Sequence, residues 1–455
     1  MAAPMSRIAR GELVRKLVHV AMGFLAFAVR PLGWELAIAC AVAAILHNAF
    51  LLPRYGGRNL WRAGEAERGF ALGIVVYPVT VLVLLLVFAR RLEIAAAAWG
   101  ILAFGDGMAA IVGQTLGRGN PLPWNASKSW AGTLAYFACG GAGAFALLAW
   151  TAPGAYAPGF ALAISLAAAA LAALLESQPQ GLDDNFGVPL VAALALYCLT
   201  LTAGGWGVVT TAAFAARLGV GLAVNLALAA AAYAARGVDR SGAAAGVLLG
   251  STIWAFLGWR GFLLLLAFFV LGTLATKFGY EPKARARLAQ EKGGRRGARN
   301  AFAKATVPAL AAVFAATTGE PVLFALALAG AFATATADTC SSEIGQVIGR
   351  RTFLITTLRA VPRGTQGAVS LEGTLAGVAG SLVVAGLGSA AGLYPAAGVA
   401  VVVAAALVAT TLESLAGATL ERRGLVDNDA VNFLNTLAGA LFAAGLGHWL
   451  LLGSR

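Results

Sequence analysis

Long apolar stretches separated by short polar ones run through the whole chain. A membrane-spanning helix needs about 20 consecutive apolar residues, and the sequence supplies about fifteen such runs. They lie near residues 14–29, 34–52, 70–89, 92–112, 130–150, 158–176, 187–205, 207–235, 242–258, 260–279, 301–317, 321–344, 369–391, 395–413 and 430–451. The pattern predicts an all-α polytopic membrane protein with about 15 transmembrane helices.

Three motifs occur twice in the same order. The pairs are GDGMAAIVGQTLGR with ADTCSSEIGQVIGR, SWAGTLA with SLEGTLA, and GLDDNFGV with GLVDNDAV. Self-similarity of this kind indicates a duplication, here with a period of roughly 240 residues. We predict two parallel seven-helix repeats in the same orientation, joined by one linker helix. The predicted domains are 1–205, the connecting helix 206–235, and 236–455.

Composition agrees with a membrane protein and adds an orientation. The chain is 60% hydrophobic and 12% charged, whereas soluble domains carry about 25% charged residues. Its net charge of +13 comes from basic residues in the short loops, which is the positive-inside pattern. We therefore expect an integral protein of a bacterial cytoplasmic membrane, with the amino terminus and both sites facing the cytoplasm. Anionic lipid or a phosphorylated substrate explains the basic charge better than nucleic acid does.

Carboxylates in or beside the apolar spans are the main candidates for chemistry, because each costs at least about 2.5–3.5 kcal/mol at membrane depth. The predicted metal ligands are Asp106, Glu176, Asp183, Asp184, Asp338, Glu343, Glu413 and Asp427. Oxygen-only clusters of this kind suit Mg²⁺, which binds carboxylates together with substrate phosphates. A single such acid could instead be a helix–helix hydrogen-bond partner, but a repeated set favours function.

Basic, hydroxyl and glycine residues accompany these acids at predicted helix starts, where charge and backbone N–H groups can bind phosphate. The predicted nucleotide and phosphate ligands are Asn125, Gly132, Thr133, Arg299, Asn300, Arg363, Gly364, Thr365, Ser370, Gly373 and Thr374. The predicted catalytic residues are Asp106, Lys128, Ser129, Glu176, Asp338, Glu372 and Glu413. Such a set is typical of phosphoryl transfer. Val369 stands where the first half has Lys128.

The first span carries three candidate substrate-binding residues, Arg15, Lys16 and His19, spaced along one helical face. His19 could orient a substrate hydroxyl or accept its proton. An interfacial packing role explains the histidine equally well.

The motifs of the first half resemble a known family. ELVRKLVH, GDGMAAIVG, NASKSWAGT and the segment from Glu176 to GLDDN resemble the phytol kinase and dolichol kinase family of CTP-dependent polyprenol kinases, and more distantly the phosphatidate cytidylyltransferases. Ala131 is similar to the phytol kinases, since dolichol kinases usually carry Glu there. This departure makes dolichol a poor candidate substrate.

The second half looks like the membrane family that includes the plant phytyl-phosphate kinases. The resemblance rests on GGRRGARNAFA, ADTCSSEIGQ, PRGTQGAVSLEGT, ESLAGATLE and NDAVNFLNT. Cys340 departs from that family, which typically has Trp at the position.

Together the resemblances imply two successive kinases in one polypeptide. The first half would phosphorylate an isoprenoid alcohol (phytol, geranylgeraniol or farnesol), and the second would convert the isoprenoid phosphate to the diphosphate. CTP with Mg²⁺ is the implied donor, although the residues themselves do not distinguish CTP from ATP.

Three other readings fit the same residues. A cytidylyltransferase that forms a CDP-lipid would use the same metal chemistry, and a secondary transporter could also have parallel repeats. The Val369 replacement allows a fourth arrangement, in which one half is an inactive scaffold.

Overall fold

The computed structural model describes residues 10–55, 72–117, 119–178, 184–286, 295–422 and 426–453. The chain forms two compact units, Met1–Ala203 and Gly204–Arg455. The predicted metal ligand Asp183 lies outside the described residues, as does Arg118 of the first repeated motif.

The protein is an all-α polytopic membrane protein. Among the described residues, eleven helical segments are long and apolar enough to cross a membrane, and two shorter apolar helices accompany them. Two of the long segments, Val14–Arg54 and Arg240–Lys277, contain a backbone break. The breaks occur at Gly33, with φ of 73°, and at Gly258, with φ of 65°. Positive φ favours glycine, so each of these segments bends where the apolar pattern predicts a boundary between spans.

The first unit is built from helices that surround a small-residue core. Its described helices are α1 Arg10–Phe24, α2 Val29–Leu46, α3 Leu72–Val87, α4 Leu92–Gly100, α5 Gly107–Leu116, α6 Trp130–Thr151, α7 Pro158–Glu176 and α8 Asp184–Thr200. A 3-10 turn, Leu25–Ala28, continues α1 into α2. Fully buried alanines such as Ala95, Ala98 and Ala168 let the helices approach closely.

A π-helical turn, Ile101–Asp106, separates α4 from α5 and ends at the first predicted catalytic acid. The turn lies where the chain passes Tyr136 of α6, and a Cβ atom at Gly105 would come within 2.8 Å of that ring. π-turns inside helices are frequent at functional sites. Here the last residue of the turn is Asp106, whose carboxylate contacts Lys16 of α1.

The second unit has the same helical character. Its described helices are α9 Ala212–Ala234, α10 Arg240–Lys277, α11 Tyr280–Arg285, α12 Ala298–Thr317, α13 Pro321–Ile348, α14 Leu371–Ala390, α15 Ala397–Ala416 and α16 Asn428–Gly447. Helix α9 covers most of the predicted connecting helix and packs against α10 within this unit. Helix α13 is the most buried and contacts α10, α12, α14, α15 and α16. It carries Asp338 in its carboxyl-terminal half.

Among its described residues, each unit also contains one small antiparallel hairpin, in the segment that precedes a predicted span or overlaps its start. Strands β1 Pro121–Leu122 and β2 Asn125–Ser129 pair in the first unit, and β3 Thr352–Leu354 and β4 Ala368–Ser370 pair in the second. In both hairpins the final serine is the N-cap of the next helix. The Oγ atom of Ser129 accepts a hydrogen bond from the N–H of Gly132 at 3.2 Å, and that of Ser370 from Gly373 at 3.1 Å.

Candidate functional site

The first site is centred on Asp106, where α5 begins. Its Oδ2 atom accepts a hydrogen bond from Lys16 Nζ at 2.7 Å and lies 3.5 Å from His19 Nε2. The same nitrogen of His19 lies 3.2 Å from the backbone oxygen of Leu102. The predicted substrate residues Lys16 and His19 therefore contact the predicted catalytic acid directly.

The glycine after Asp106 makes this contact possible. A Cβ atom at Gly107 would collide with the side chain of Val20 on α1. Because Gly107 has no side chain, α1 and α5 approach closely enough for Lys16 and His19 to contact Asp106.

A second group of charges lies beside the first. Lys128, on β2, pairs with Glu176 at the end of α7 and lies 3.6 Å from an oxygen of Asp184. Burial by itself would lower the pKa of Lys128, but the carboxylates of Glu176, Asp184 and Asp106 outweigh it and raise the pKa above its ordinary value. Lys128 therefore remains charged and can contact phosphate oxygens.

The hairpin holds this lysine against the end of α7. The side-chain amide of Asn125 donates to the backbone oxygen of Ser177 at 3.1 Å, and the indole of Trp124 donates to its hydroxyl at 3.2 Å. One turn into α6, the hydroxyl of Thr133 is buried and has no hydrogen-bond partner among the described residues. A buried polar atom of this kind requires an explanation, and a bound ligand would supply one.

An apolar cavity of about 510 Å³ adjoins the Asp106 site. Its walls are formed mainly by α1, α2 and α3, with Met22, Ala28 and Ala41 among the lining residues. Its polar lining includes Arg15, His19, His47, Asn48 and Asn185. His19 therefore belongs both to this cavity and to the surroundings of Asp106.

The second site is centred on Asp338 of α13. Lys304, on α12, donates to Asp338 Oδ2 at 2.7 Å and to the hydroxyl of Thr339 at 3.0 Å. Glu413 of α15 accepts a hydrogen bond from Asn435 and interacts with Asp338. Two carboxyl groups from different helices thus lie close together, and Lys304 binds one of them.

A polar cavity of about 730 Å³ surrounds Asp338 and collects most of the residues predicted in the second half. These are Arg299, Asn300, Asp338, Glu343, Arg363, Gly364, Thr365, Ser370, Gly373, Thr374 and Glu413. Further charged residues that line it are Arg295, Arg296, Lys304, Glu421 and Asp429. Such mixed charge suits a ligand with both phosphate groups and donor-rich parts.

Three predicted residues of the second half have other partners. Glu372 is not among the cavity-lining residues, and its carboxylate accepts a hydrogen bond from the N–H of Arg350 at 3.2 Å. Asp427 pairs with Arg299 and accepts a hydrogen bond from the N–H of Ala430 as the N-cap of α16. Glu343 lines the cavity but is bound by the buried Lys283.

Three basic residues that line the polar cavity were missed by the sequence reasoning: Arg295, Arg296 and Lys304. Lys304 lies inside an apolar span, and a lysine there is as costly as an acid, so the test applied to carboxylates would have found it. Arg296 lines the polar cavity and lies over the ring of Phe268, 5.7 Å from its centroid. Burial lowers the pKa of Arg296, an effect that Glu343 and Asp338 oppose.

The described residues contain no group of three or more His, Cys, Asp or Glu side chains arranged to hold a metal ion. Mg²⁺ that carries a nucleotide needs only one or two carboxylates, because phosphates and water supply its other ligands. The pair Asp338 and Glu413 fits that requirement, and so do Asp106 and the Glu176–Asp184 pair. Asn435 also has an amide oxygen that is buried and has no hydrogen-bond partner among the described residues.

Comparisons with known proteins place the chain in a family. The model of the integral membrane protein DUF92 family matches residues 223–440. An uncharacterized membrane protein of Synechocystis sp. is 45% identical over 44% of this chain and 78% of its own length. The chloroplastic protein VTE6 of Arabidopsis thaliana is 39% identical over 46% of this chain and 64% of its own length, so less than two thirds of that relative is covered.

A probable chloroplastic phytol kinase of Zea mays is 32% identical over 42% of this chain and 68% of its own length. No solved structure shows significant similarity to the chain. The chain belongs to the DUF92 family of integral membrane proteins.

Proposed function

We propose that the protein is a bifunctional isoprenoid kinase of the membrane. It phosphorylates a prenyl alcohol of the phytol, geranylgeraniol or farnesol class, and then converts the monophosphate to the diphosphate, with CTP as donor and Mg²⁺ as cofactor. The observation that carries this proposal is the apolar cavity that includes His19, whose Nε2 atom lies 3.5 Å from Asp106. The similarity to a probable phytol kinase supports the same conclusion.

In the first unit, the hydroxyl of the alcohol lies beside His19 and its hydrocarbon tail lies in the cavity. The oxygen attacks the terminal phosphorus of the nucleotide, its proton passes to the His19–Asp106 pair, and the bond to the nucleoside diphosphate breaks. Lys128, which pairs with Glu176, binds a phosphate oxygen of the nucleotide. Mg²⁺ held by Asp106, or by the Glu176–Asp184 pair, would neutralise phosphate charge.

In the second unit, the acceptor is already a phosphate, so no strong base is needed to activate it. Arg299 and Arg363, with the N–H group of Gly364, bind phosphate oxygens in the polar cavity. The N–H of Thr365 instead donates to the backbone oxygen of Pro362 at 3.3 Å. Asp338 and Glu413 would hold Mg²⁺, and the hydrogen bond from Lys304 holds Asp338 in place. The predominance of arginines in this cavity suits the binding of two phosphorylated molecules at once.

The remaining predictions form part of the same proposal. The two units are tandem repeats in one orientation, and their sites both open to the cytoplasm, where the nucleotide is available. The acceptor enters sideways from the bilayer.

The test is to incubate the purified protein with Mg²⁺, CTP and a prenyl alcohol and to identify the products by mass. Monophosphate that is converted to diphosphate supports the proposal. A CDP-linked lipid would instead identify a cytidylyltransferase. The absence of any product, with alcohol transport into proteoliposomes, would identify a transporter. Repeating the incubation with ATP in place of CTP, and comparing the product yields, gives the preferred phosphoryl donor.

A further inference from the structure

The apolar cavity of the first unit has a long axis that its lining residues define. On the α1 side, the lining positions Val18, Met22, Leu25, Ala28 and Leu32 follow each other at intervals of three or four residues. Such intervals place them along one helical stripe. From His19 to Leu32 the stripe extends about 20 Å at 1.5 Å per residue.

A second stripe returns along α2. The backbone turns at Gly33, and the lining continues with Ala37, Cys40, Ala44 and Asn48. Asn48 is as far beyond the turn as His19 is before it, so both lie at the same end of this helical pair. The cavity therefore has a polar end at His19 and Asn48 and an apolar end near the turn at Gly33.

One hydrocarbon chain with a single polar head matches this shape. The polar lining is confined to the His19 end, and the residues near the turn are Ala28, Val29, Leu32 and Ala37. A lipid with two acyl chains and a large head group would need a wider space and more polar contacts. This identification of the ligand rests on the proposed function of the first unit.

We propose that Ala28 and Ala37, at the end opposite His19, determine the longest isoprenoid alcohol that the protein accepts. Both side chains are single methyl groups, so the cavity extends to the backbone of the 3-10 turn at Ala28 and of α2 at Ala37. A larger side chain at either position shortens the cavity from its far end and leaves the site around His19 and Asp106 unchanged.

The experiment compares Ala37→Phe and Ala28→Phe with the unaltered protein on geraniol, with two isoprene units, and geranylgeraniol, with four. Each variant should lose at least tenfold in kcat/KM for geranylgeraniol and less than twofold for geraniol. The matched control is Leu36→Phe, because Leu36 neighbours Ala37 but is 51% exposed and does not line the cavity. It should leave both values unchanged.

Retained activity on geraniol shows that a variant is folded. An equal loss on both alcohols, or no change on either, overturns the inference while the proposed kinase activity stands. If the unaltered protein phosphorylates no alcohol, the proposed function fails, and binding is tested separately with a photoreactive geranylgeraniol analogue. Crosslinks to α1 and α2 that disappear in Ala37→Phe support the cavity assignment. Crosslinks elsewhere, or a co-purified phospholipid chain in the cavity, overturn it.

Discussion

The two sites contain the same ion pair, built from different helices. Lys16 reaches Asp106 from α1, 90 residues earlier in the chain, whereas Lys304 reaches Asp338 from α12, only 34 residues earlier. In both pairs the Nζ–Oδ2 distance is 2.7 Å. The comparison shows that the requirement is a cation beside the part-buried carboxylate, and that helices at different places in the chain can supply it.

The internal prolines of α3 and α12 show which helix supplies the lysine in each unit. Pro78 lies inside α3 and Pro308 inside α12. Lys304 precedes Pro308 by four residues, whereas an apolar residue, Ile74, precedes Pro78 by four. In the first unit α1 carries the lysine, and Ile74 lines the apolar cavity instead. Among the described residues, the position four before the internal proline therefore lines an apolar cavity in the first unit and supplies the cation beside Asp338 in the second.

The two sites also differ in their remaining positive charge, which is a lysine in the first unit and mainly arginine in the second. In the first unit Lys128 neutralises Glu176, whereas in the second Val369 occupies the corresponding place and Glu413 accepts a hydrogen bond from Asn435. Positive charge in the second cavity comes mainly from arginines. Arginine binds phosphate through two donors at once, which suits the phosphate acceptor that we propose for this site.

The largest expected effect concerns the two acids themselves. Asp106→Asn should lower phosphorylation of the alcohol by about 100- to 10,000-fold, the range for loss of a catalytic acid or base. Added monophosphate should still be converted. Asp338→Asn should instead accumulate monophosphate. Products are quantified by mass spectrometry, with Glu281→Gln, an exposed acid on α11, as control. Loss of the same step in both variants would contradict the division of labour.

Removal of the lysines tests whether the two ion pairs are equivalent. Lys304→Met should lower the free energy of unfolding by about 3 kcal/mol, because it leaves a part-buried carboxylate without its cation. Lys16→Met should cost less, because His19 remains 3.5 Å from Asp106. Thermal unfolding in detergent measures both, with the exposed Lys277→Met as control. Adding Asp338→Asn to Lys304→Met should restore most of the lost stability. A cost below about 1 kcal/mol for either lysine variant would contradict charge compensation at that site.

The ion pair of Lys283 and Glu343 should stabilise the second unit but has no counterpart at the matching position of the first. Glu343 lies five residues after Asp338, whereas the residue five after Asp106 is the apolar Ile111. Lys283 also donates to the backbone oxygen of Thr276 at 2.9 Å. Lys283→Met should cost about 3 kcal/mol of unfolding free energy. Arg285→Met, which removes an exposed charge on the same short helix, should stay within about 0.5 kcal/mol. Equal effects of these two changes would mean that the buried pair does not anchor α11.

The smallest expected effect is the loss of stability when an N-cap serine is removed, and it should be equal in the two units. Ser129→Ala and Ser370→Ala each remove an N-cap hydrogen bond and should cost about 1 kcal/mol. Thermal unfolding of both variants in the same detergent measures the difference. Threonine at either position should restore most of the stability, because its hydroxyl can cap a helix too. A large inequality would show that the two hairpins hold their helices differently.

Much of the fold could be predicted because its causes are local. The apolar runs predict the positions of the helices, and the cost of charge at membrane depth identifies Asp106 and Asp338. The hairpins were not predicted, because strands of two to five residues leave no periodic pattern. Asp427 and Glu372 were grouped with the other acids by motif, whereas the structure gives them backbone N–H partners at helix and loop ends.

By itself the sequence determined that this is a membrane protein of many helices, with repeated acidic motifs beside basic and glycine-rich segments. Span length and the free-energy cost of a charge in lipid depend on neighbouring residues alone, so a single chain reveals them. Only the tertiary structure decided that Lys16 and Lys304 compensate the two acids, and that α1, α2 and α3 enclose an apolar cavity beside His19. These features depend on distances between helices that are far apart in the chain, and no local pattern encodes such distances.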